Sequence, residues 1–327
     1  MIPGLTDAHL HWEWVSRALQ NVDLYEVPSK AEALERITAH MAQVETADEW
    51  IQGRGWTQDF WEDNDFQFPT ASELDAITRT NPAYFSAKSG HAAWVNSAAL
   101  KMANITAETP DPEGGQIVRG ASGNPTGILL ESAMKLIMDL IPDPTTEQLA
   151  DYMQHAQSLA LAAGMTGFHD FDNPSCLRAL QVVRERGNLA QRVVKQINQA
   201  WFEAALESGI RGDFGDDWIR IGGLKLFADG ALGPRTAYMV DAYEGQPDNY
   251  GMPVVSKGDM RELVSRASAA GLPSTVHAIG DRAVREVLDI YEAVREEEAV
   301  RRETPAQRRH RIEHVQIIHP DDVHRIA

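Results

Sequence analysis

Cysteine is nearly missing from this chain, with Cys176 the single one among 327 residues. One cysteine excludes an intrachain disulfide framework and any cysteine-rich zinc motif, and it is typical of a reducing compartment. Metal ligands would therefore have to come from histidine, carboxylate or modified side chains.

Positive charge is also scarce, because 30 Lys and Arg residues face 48 Asp and Glu residues, which gives a formal net charge of -18. Nucleic acid and anionic membrane both require a cationic surface, so the composition argues against either partner. The sequence also lacks the basic and apolar regions of a signal peptide and any apolar run of about 18 residues. We expect a cytoplasmic protein, with about two ordinary domains or one large α/β barrel.

Two histidines, His9 and His11, lie one residue apart in the first apolar segment. In an extended strand they would lie on one face, with Leu10 on the other. Two imidazoles on one face make half of a metal site, because zinc and similar ions take three or more ligands. An ordinary histidine pair on a surface strand is the alternative, so the metal hypothesis requires further ligands from later strands.

Short apolar strands alternate with helical segments from about residue 145 onward. Strands are predicted at 167–171, 192–197, 219–227, 273–279 and 311–317, and a helix at 34–44 follows the first strand. This alternation predicts a parallel sheet with right-handed crossovers, built from six βα units. The predicted fold class is an α/β, TIM-type (β/α)8 barrel that is incomplete, because a closed barrel needs eight strands.

Residues 51–133 differ from the rest of the chain in composition, because they are rich in aromatic residues and contain several prolines and glycines. This segment is far longer than an ordinary βα loop, so we interpret it as an insertion after the first βα unit. Such insertions often shape a substrate pocket, and a lid or an oligomer contact is the alternative. The predicted domains are residues 1–50 for the first strand and helix, 51–133 for the insertion and 134–327 for barrel units two to six.

Two later strands carry histidines at or near their ends, His277 and His314. Active sites of β/α barrels gather at the C-terminal ends of the strands, so these side chains could converge with His9 and His11. Each histidine alone is more simply explained as a buried side chain bonded to backbone. Histidines at three strand ends are harder to explain by packing.

Lys225 lies on the fourth predicted strand. A lysine ammonium only donates hydrogen bonds, but reaction with carbon dioxide would convert it into a carboxylate that can bridge two metal ions. From the residues alone, an ion pair with Asp229 or Asp170 is the simpler interpretation.

These motifs together resemble the amidohydrolase superfamily, and most closely its YtcJ-like branch, which includes the N-substituted formamide deformylases. The matching segments run nearly from end to end and comprise PGLTDAHLH at 3–11, GRGWTQ at 53–58, GHAAWVNS at 90–97, GILLE at 127–131, KLFADG at 225–230, HAIGD at 277–281 and RIEH at 311–314.

The resemblance implies a fold, a ligand set and a reaction. In that superfamily the strand-one histidine pair, a strand-four lysine that is often carboxylated, and histidines ending strands five and six bind one or two divalent metals. The resemblance thus implies a zinc site formed by His9, His11, Lys225, His277 and His314. It further implies metal-assisted hydrolysis of a non-peptide C–N bond, amide-like or formamide-like, in a small-molecule substrate.

The same resemblance makes four residues of the insertion candidates for substrate binding, namely Trp56, His91, Trp94 and Asn96. The aromatic residues there could equally form the insertion's own core. Glu131 ends another family motif and ranks below Lys225 as a residue near the metal.

The sequence departs from the family pattern in two ways. A small flanking β-sandwich is missing, and so are strands seven and eight with the aspartate that serves as proton shuttle. Asp321 and Asp322 follow strand six in a helix-start context and are poor substitutes. We therefore expect a segment of a longer polypeptide, a chain completed by another chain, or an inactive remnant. Open sheet edges further favour a homo-oligomer or association with the missing segment.

The leading functional hypothesis is a metal-dependent amidohydrolase. The first alternative is a catalytically incompetent fragment that binds metal but lacks the strand-eight aspartate. A barrel or binding protein without metal is the third hypothesis, and it requires that the histidines do not converge.

Overall fold

The computed structural model describes residues 3–44, 46, 49–304 and 308–326. The chain divides into two compact units, of which the first comprises Met1–Ser16 and Thr146–Ala327 and the second comprises Arg17–Thr145. We call them the barrel unit and the inserted unit.

The strands are β1 (Leu5–Leu10), β2 (Val22–Asp23), β3 (Ile51–Trp56), β4 (Ala83–Ala87), β5 (Ala92–Val95), β6 (Gly115–Arg119), β7 (Pro125–Glu131), β8 (Met165–Asp170), β9 (Arg192–Asn198), β10 (Ile219–Phe227), β11 (Ser274–Ala278) and β12 (Arg311–His314). The α-helices are α1 (Trp12–Ala18), α2 (Lys30–Met41), α3 (Ala71–Thr78), α4 (Ser97–Met102), α5 (Lys135–Met138), α6 (Thr146–Ala162), α7 (Pro174–Glu185), α8 (Phe202–Glu207), α9 (Lys257–Ala269) and α10 (Asp281–Val300). Short 3-10 helices occur at Gln58–Phe60, Glu62–Asn64, Ser132–Met134, Gln199–Trp201 and Pro320–Arg325. Across the described ranges, no helix combines the length and the apolar character needed to cross a membrane.

The sheet of the barrel unit has the strand order β1-β8-β9-β10-β11-β12, and every neighbouring pair is parallel. A helix precedes each strand from β8 to β12 in the sequence, as parallel neighbours require. The six strands predicted from sequence are therefore present, and the incomplete TIM-type α/β fold is confirmed. Parallel strands end at one edge of the sheet, so the residues that follow them become neighbours.

The barrel unit is held together by apolar faces of helices packed on the strands. On α10, apolar residues recur every three or four positions, and Val284, Val287 and Val294 are buried against Leu224 and Val276 of the strands. Burial of each such side chain contributes about 1.5–3 kcal/mol relative to exposure. A second cluster packs Phe168 of β8 against Leu149 of α6 and Leu180 of α7.

The inserted unit has its own mixed sheet, ordered β2-β3-β4-β5-β7-β6, with β2, β3 and β4 parallel and the remaining pairs antiparallel. Ser29 caps α2 by accepting a hydrogen bond from the Glu32 amide. Ile37 and Met41 of α2 are buried in the core of this unit together with Ile51.

The division of the chain thus differs from the predicted domains 1–50, 51–133 and 134–327. The helix predicted at 34–44 as the first barrel helix belongs to the inserted unit, which spans Arg17–Thr145. Amphipathic periodicity shows that a helix has an apolar face, but it does not identify the sheet that covers that face.

Candidate metal centre

Four histidines lie together where the strands of the barrel unit end. His9 is the penultimate residue of β1 and His11 follows that strand, while His277 lies near the end of β11 and His314 ends β12. The ring centroids of His9 and His11 are 5.6 Å apart, those of His9 and His314 5.0 Å, and those of His277 and His314 4.6 Å. The imidazoles therefore form a chain of neighbours from β1 to β11, which we call the histidine cluster.

Lys225 of β10 is buried, with 2% of its surface exposed. Within the described part of the chain its Nζ has no hydrogen-bond partner, and it lies 4.7 Å from the ring centre of Phe171 and 4.8 Å from that of Phe227. Burial lowers the pKa of this amine to about 8. The simpler interpretation of Lys225 as a partner of Asp170 or Asp229 is therefore not what the structure shows.

Electrostatics favour the neutral imidazole at His277 and His314. Burial lowers the pKa of His277, against the opposing effect of its hydrogen bond to the Gly230 carbonyl. Burial, followed by the charges of His277, His9 and Lys225, lowers the pKa of His314 to about 4. Only a neutral imidazole has the lone pair that binds a metal, so both side chains are in the ligand form at neutral pH.

The two histidines of the first strand each contact a carboxylate through the same ring nitrogen. Nδ1 of His9 is 2.7 Å from Oε2 of Glu313, and Nδ1 of His11 is 2.9 Å from Oδ1 of Asp172. Burial alone would raise the pKa of Glu313, but the His9 hydrogen bond and the Arg311 charge outweigh it and lower the pKa. An ionised carboxylate can only accept, so Nδ1 of His9 donates and Nε2 is the ring nitrogen left to bind a metal.

Asp229 supports the turn that follows His277. Its carboxylate is buried and accepts the backbone N–H groups of Tyr238 at 2.8 Å, Ile279 at 3.0 Å and Gly280 at 2.8 Å. A Cβ on Gly280 would lie 2.1 Å from the Tyr238 carbonyl oxygen, which explains the glycine at this close approach. Sequence reasoning raised Asp229 only as a partner of Lys225, because its backbone contacts are long-range.

The end of β12 has an unusual backbone conformation. His314 has φ +76° and Val315 has φ +45°, a region that a β-branched residue rarely adopts. The Val315 amide is held by the Ala278 carbonyl at 3.1 Å. Strained backbone of this kind concentrates at functional sites, and here it sets the direction of the His314 side chain.

Comparison with known proteins agrees with this geometry. The family model described as the amidohydrolase family matches residues 1–327. This chain belongs to the amidohydrolase family. The resemblance to the YtcJ-like branch is also confirmed, because the chain is 30% identical over 338 residues to the putative amidohydrolase YtcJ of Bacillus subtilis, covering 100% of the chain and 60% of that protein.

The chain is also similar to an enzyme of known name and to a protein of solved structure. The N-substituted formamide deformylase of Arthrobacter pascens is 30% identical over 308 residues, which cover 90% of this chain and 56% of that enzyme. An uncharacterised metal-dependent hydrolase from Pyrococcus furiosus superposes with a TM-score of 0.74 at 29% identity, covering 99% of this chain and 62% of that one. The chain thus spans 56–62% of the length of these three relatives.

A second group of side chains that could hold a metal lies in the barrel unit of this member of the amidohydrolase family. It is formed by Asp170, Asp172 and Cys176, whose ligand atoms lie within 4.8 Å of one another. The ammonium of Lys195 already contacts it, 2.6 Å from Oδ2 of Asp170. Burial raises the pKa of the Cys176 thiol well above its usual value, so the thiol stays protonated. The group is therefore a buried ion pair. Asp170 and Asp172, alternating at the end of β8, were the signal that could have identified it.

Three of the four residues predicted to bind substrate are buried in the core of the inserted unit. The indole N–H of Trp56 donates to the Phe85 carbonyl at 2.7 Å, and that of Trp94 donates to the Thr70 carbonyl at 2.8 Å. Asn96 caps α4 by accepting from the Ala99 amide. These are the contacts of a structural core, the alternative raised from the sequence, and a role in binding substrate stays a prediction.

The other polar candidates have partners of their own. His91, the fourth predicted substrate residue, is exposed, and its Nδ1 lies 2.9 Å from Oε2 of Glu131. Asp322 is buried and accepts from Arg285 at 2.7 Å, whereas the side chain of Asp321 is 82% exposed. The arginine contact occupies Asp322, in agreement with its poor suitability as a proton shuttle.

Proposed function

We propose that this chain forms the metal-binding core of a metal-dependent hydrolase that cleaves a non-peptide C–N bond in a small amide or formamide. The observation that carries the proposal is the histidine cluster, together with the buried Lys225 amine, which has no hydrogen-bond partner among the described residues. The bond type rests on the family and on the relative named as an N-substituted formamide deformylase.

The donor set fits a divalent metal. His9, His11, His277 and His314 offer imidazole nitrogens, which suit zinc, and the low pKa of two of them keeps them neutral. In the described part of the chain the Lys225 amine is buried without a hydrogen-bond partner, which costs free energy, so it fits a side chain that acquires a further group. When bound, a divalent ion supplies Lewis acidity, which lowers the pKa of water and polarises a substrate carbonyl.

Lys225 is suited to carboxylation. With a pKa of about 8, part of the amine is neutral near neutral pH and carries the lone pair needed to attack carbon dioxide. The new N–C bond gives a carbamate and releases one proton to solvent. The product would be anionic, and its two oxygens would provide donors for a second ion beside the histidines.

Metal binding without turnover is the alternative. It is favoured because the nearby carboxylates already accept hydrogen bonds from other side chains. Glu313 and Asp172 each accept a hydrogen bond from a histidine of the cluster, and Asp322 is held by arginine. A proton shuttle to the leaving nitrogen needs a carboxylate that is free to take up a proton. Among the described residues, these three are therefore unsuited to that role.

The experiment is metal reconstitution followed by an activity assay. The chelator-treated chain is titrated with Zn²⁺ and assayed for amine release from N-substituted formamides and N-acyl amines, with the H9A/H277A double variant as control. Turnover that follows metal content in wild type and is lost in the variant supports hydrolysis. Zinc binding without turnover supports the alternative. Failure of wild type to bind zinc contradicts both.

A further inference from the structure

We infer that Asp172 and Glu313 are positioning residues that fix the tautomer and ring orientation of His11 and His9. The inference rests on the proposed function, because it concerns how the first strand presents its histidines to a metal. It assigns a role to two carboxylates that lie outside the proposed ligand set.

The geometry selects one ring nitrogen in each histidine. Both carboxylates accept from Nδ1, at 2.7 Å in His9 and 2.9 Å in His11, so Nε2 is the remaining lone-pair atom of each ring. The His9 ring also stacks on Phe171, with centroids 4.0 Å apart and planes 9° from parallel. The hydrogen bond selects the ring nitrogen that faces the carboxylate, and the stacking on Phe171 fixes the plane of the ring.

Asp172 is itself held in place. Its side chain is 4% exposed, and its Oδ2 accepts the Glu13 amide at 2.6 Å while its Oδ1 faces His11. The Lys195 ammonium donates to the main-chain carbonyl of Asp172. Rotation of the carboxylate would break the Glu13 contact, so the acceptor for His11 is rigid.

Within the described residues, Glu313 is held by an ion pair with Arg311, not by a backbone hydrogen bond. Its Oε1 lies 2.6 Å from Nη2 of Arg311, and the same nitrogen donates to the Ala8 carbonyl at 2.9 Å. Arg311 thereby joins the strand that carries Glu313 to the strand that carries His9. Both positioning contacts therefore connect β1 to other parts of the barrel unit.

A purely structural role is the competing explanation, because Asp172 also caps the start of α1 through Glu13. The chain offers a matched control in the buried pair of His310 and Glu298, where Nε2 lies 2.9 Å from Oε1 and both side chains are at most 2% exposed. His310 precedes β12, so this pair lies at the opposite end of the strand from His314.

Zinc affinity separates the two explanations. Kd for Zn²⁺ is measured by competition with a chromophoric chelator on the 327-residue chain and its D172A, E313A and E298Q variants, alongside thermal melting. Loss of a carboxylate that orients a metal-binding histidine weakens binding by about 10–100-fold, so we expect this for D172A and E313A. We expect E298Q to lower the melting temperature and to leave the zinc Kd unchanged.

A measurement on wild type covers the case in which a variant does not fold. Long-range ¹H–¹⁵N spectra of the metal-free protein, assigned with H9Q and H11Q, should show Nδ1–H and unprotonated Nε2 for both rings. Nε2–H tautomers, or folded D172A and E313A with wild-type zinc affinity, would overturn the inference. Absence of zinc binding by wild type would contradict the proposed function, and the tautomers would still decide this inference.

Discussion

Nδ1 of His9 lies 2.7 Å from Oε2 of Glu313, although 304 positions separate the two residues in the sequence. They belong to β1 and β12, which stand at the two ends of the strand order in the barrel unit. The contact therefore ties the position of a candidate metal ligand to the opposite edge of the sheet.

Arg311 adds a second connection between β1 and β12, so its removal should lower the stability of the barrel unit. R311A removes the donor to the Ala8 carbonyl and the charge partner of Glu313. Because hydrogen bonds to charged groups contribute about 1.5–3 kcal/mol, we expect the free energy of unfolding to fall by about that amount. Urea denaturation measures the effect, and R309A at an exposed position is the control. Equal stability of R311A and R309A would contradict it.

Replacement of Lys225 by methionine should stabilise the metal-free chain. Its buried amine has no hydrogen-bond partner within the residues that the structure describes, and methionine fills a similar volume without a charge. We expect the free energy of unfolding to rise by about 1–3 kcal/mol in the absence of metal and bicarbonate. Zinc affinity should fall in the same variant. A K225M chain that is less stable than wild type without metal would show that Lys225 has a structural partner.

Lys195 should respond in the opposite way, although it is a buried lysine of the same unit. Its ammonium is 2.6 Å from the Asp170 carboxylate, which is fully buried. Removal of one partner from a buried ion pair costs about 3–5 kcal/mol, so K195M should be strongly destabilised. Urea denaturation of K195M and K225M under the same conditions compares the two lysines directly. A similar shift in both variants would refute the distinction.

Acid should destabilise the metal-free chain. Burial lowers the pKa of His169, His277, His310 and His314 from 6.5. The unfolded chain therefore binds protons that the folded chain does not, and the free energy of unfolding falls as the pH drops below about 6.5. H310Q should reduce this pH slope, whereas H155Q at an exposed position should not. Identical slopes for the two variants would argue against the prediction.

The βα alternation and the histidine pair could be predicted from sequence because both are local patterns. The spacing of apolar residues, every two positions in strands and every 3.6 in helices, is visible in the sequence itself. His9 and His11 need only an extended strand to share a face. His277 and His314 followed from the general rule that parallel strands end at one edge.

The polar contacts around these histidines could not be predicted, because they depend on strand register and on the path of the loops. Asp170 and Lys195 are direct neighbours in the pairing of β8 with β9, and a shift of one residue would separate them. The contact between Asp172 and His11 likewise depends on where the loop after β8 lies. The assignment of α2 to the inserted unit also required the three-dimensional packing, since its apolar face would suit either sheet.

We propose above that the histidine cluster holds a divalent metal. Elemental analysis of the 327-residue chain after zinc loading and gel filtration tests it most directly, with H9A/H277A as the variant and H155A as the exposed control. We expect bound zinc in wild type and H155A and its loss in the double variant. A wild-type chain without metal, or a double variant with undiminished zinc, would contradict metal binding by the histidine cluster.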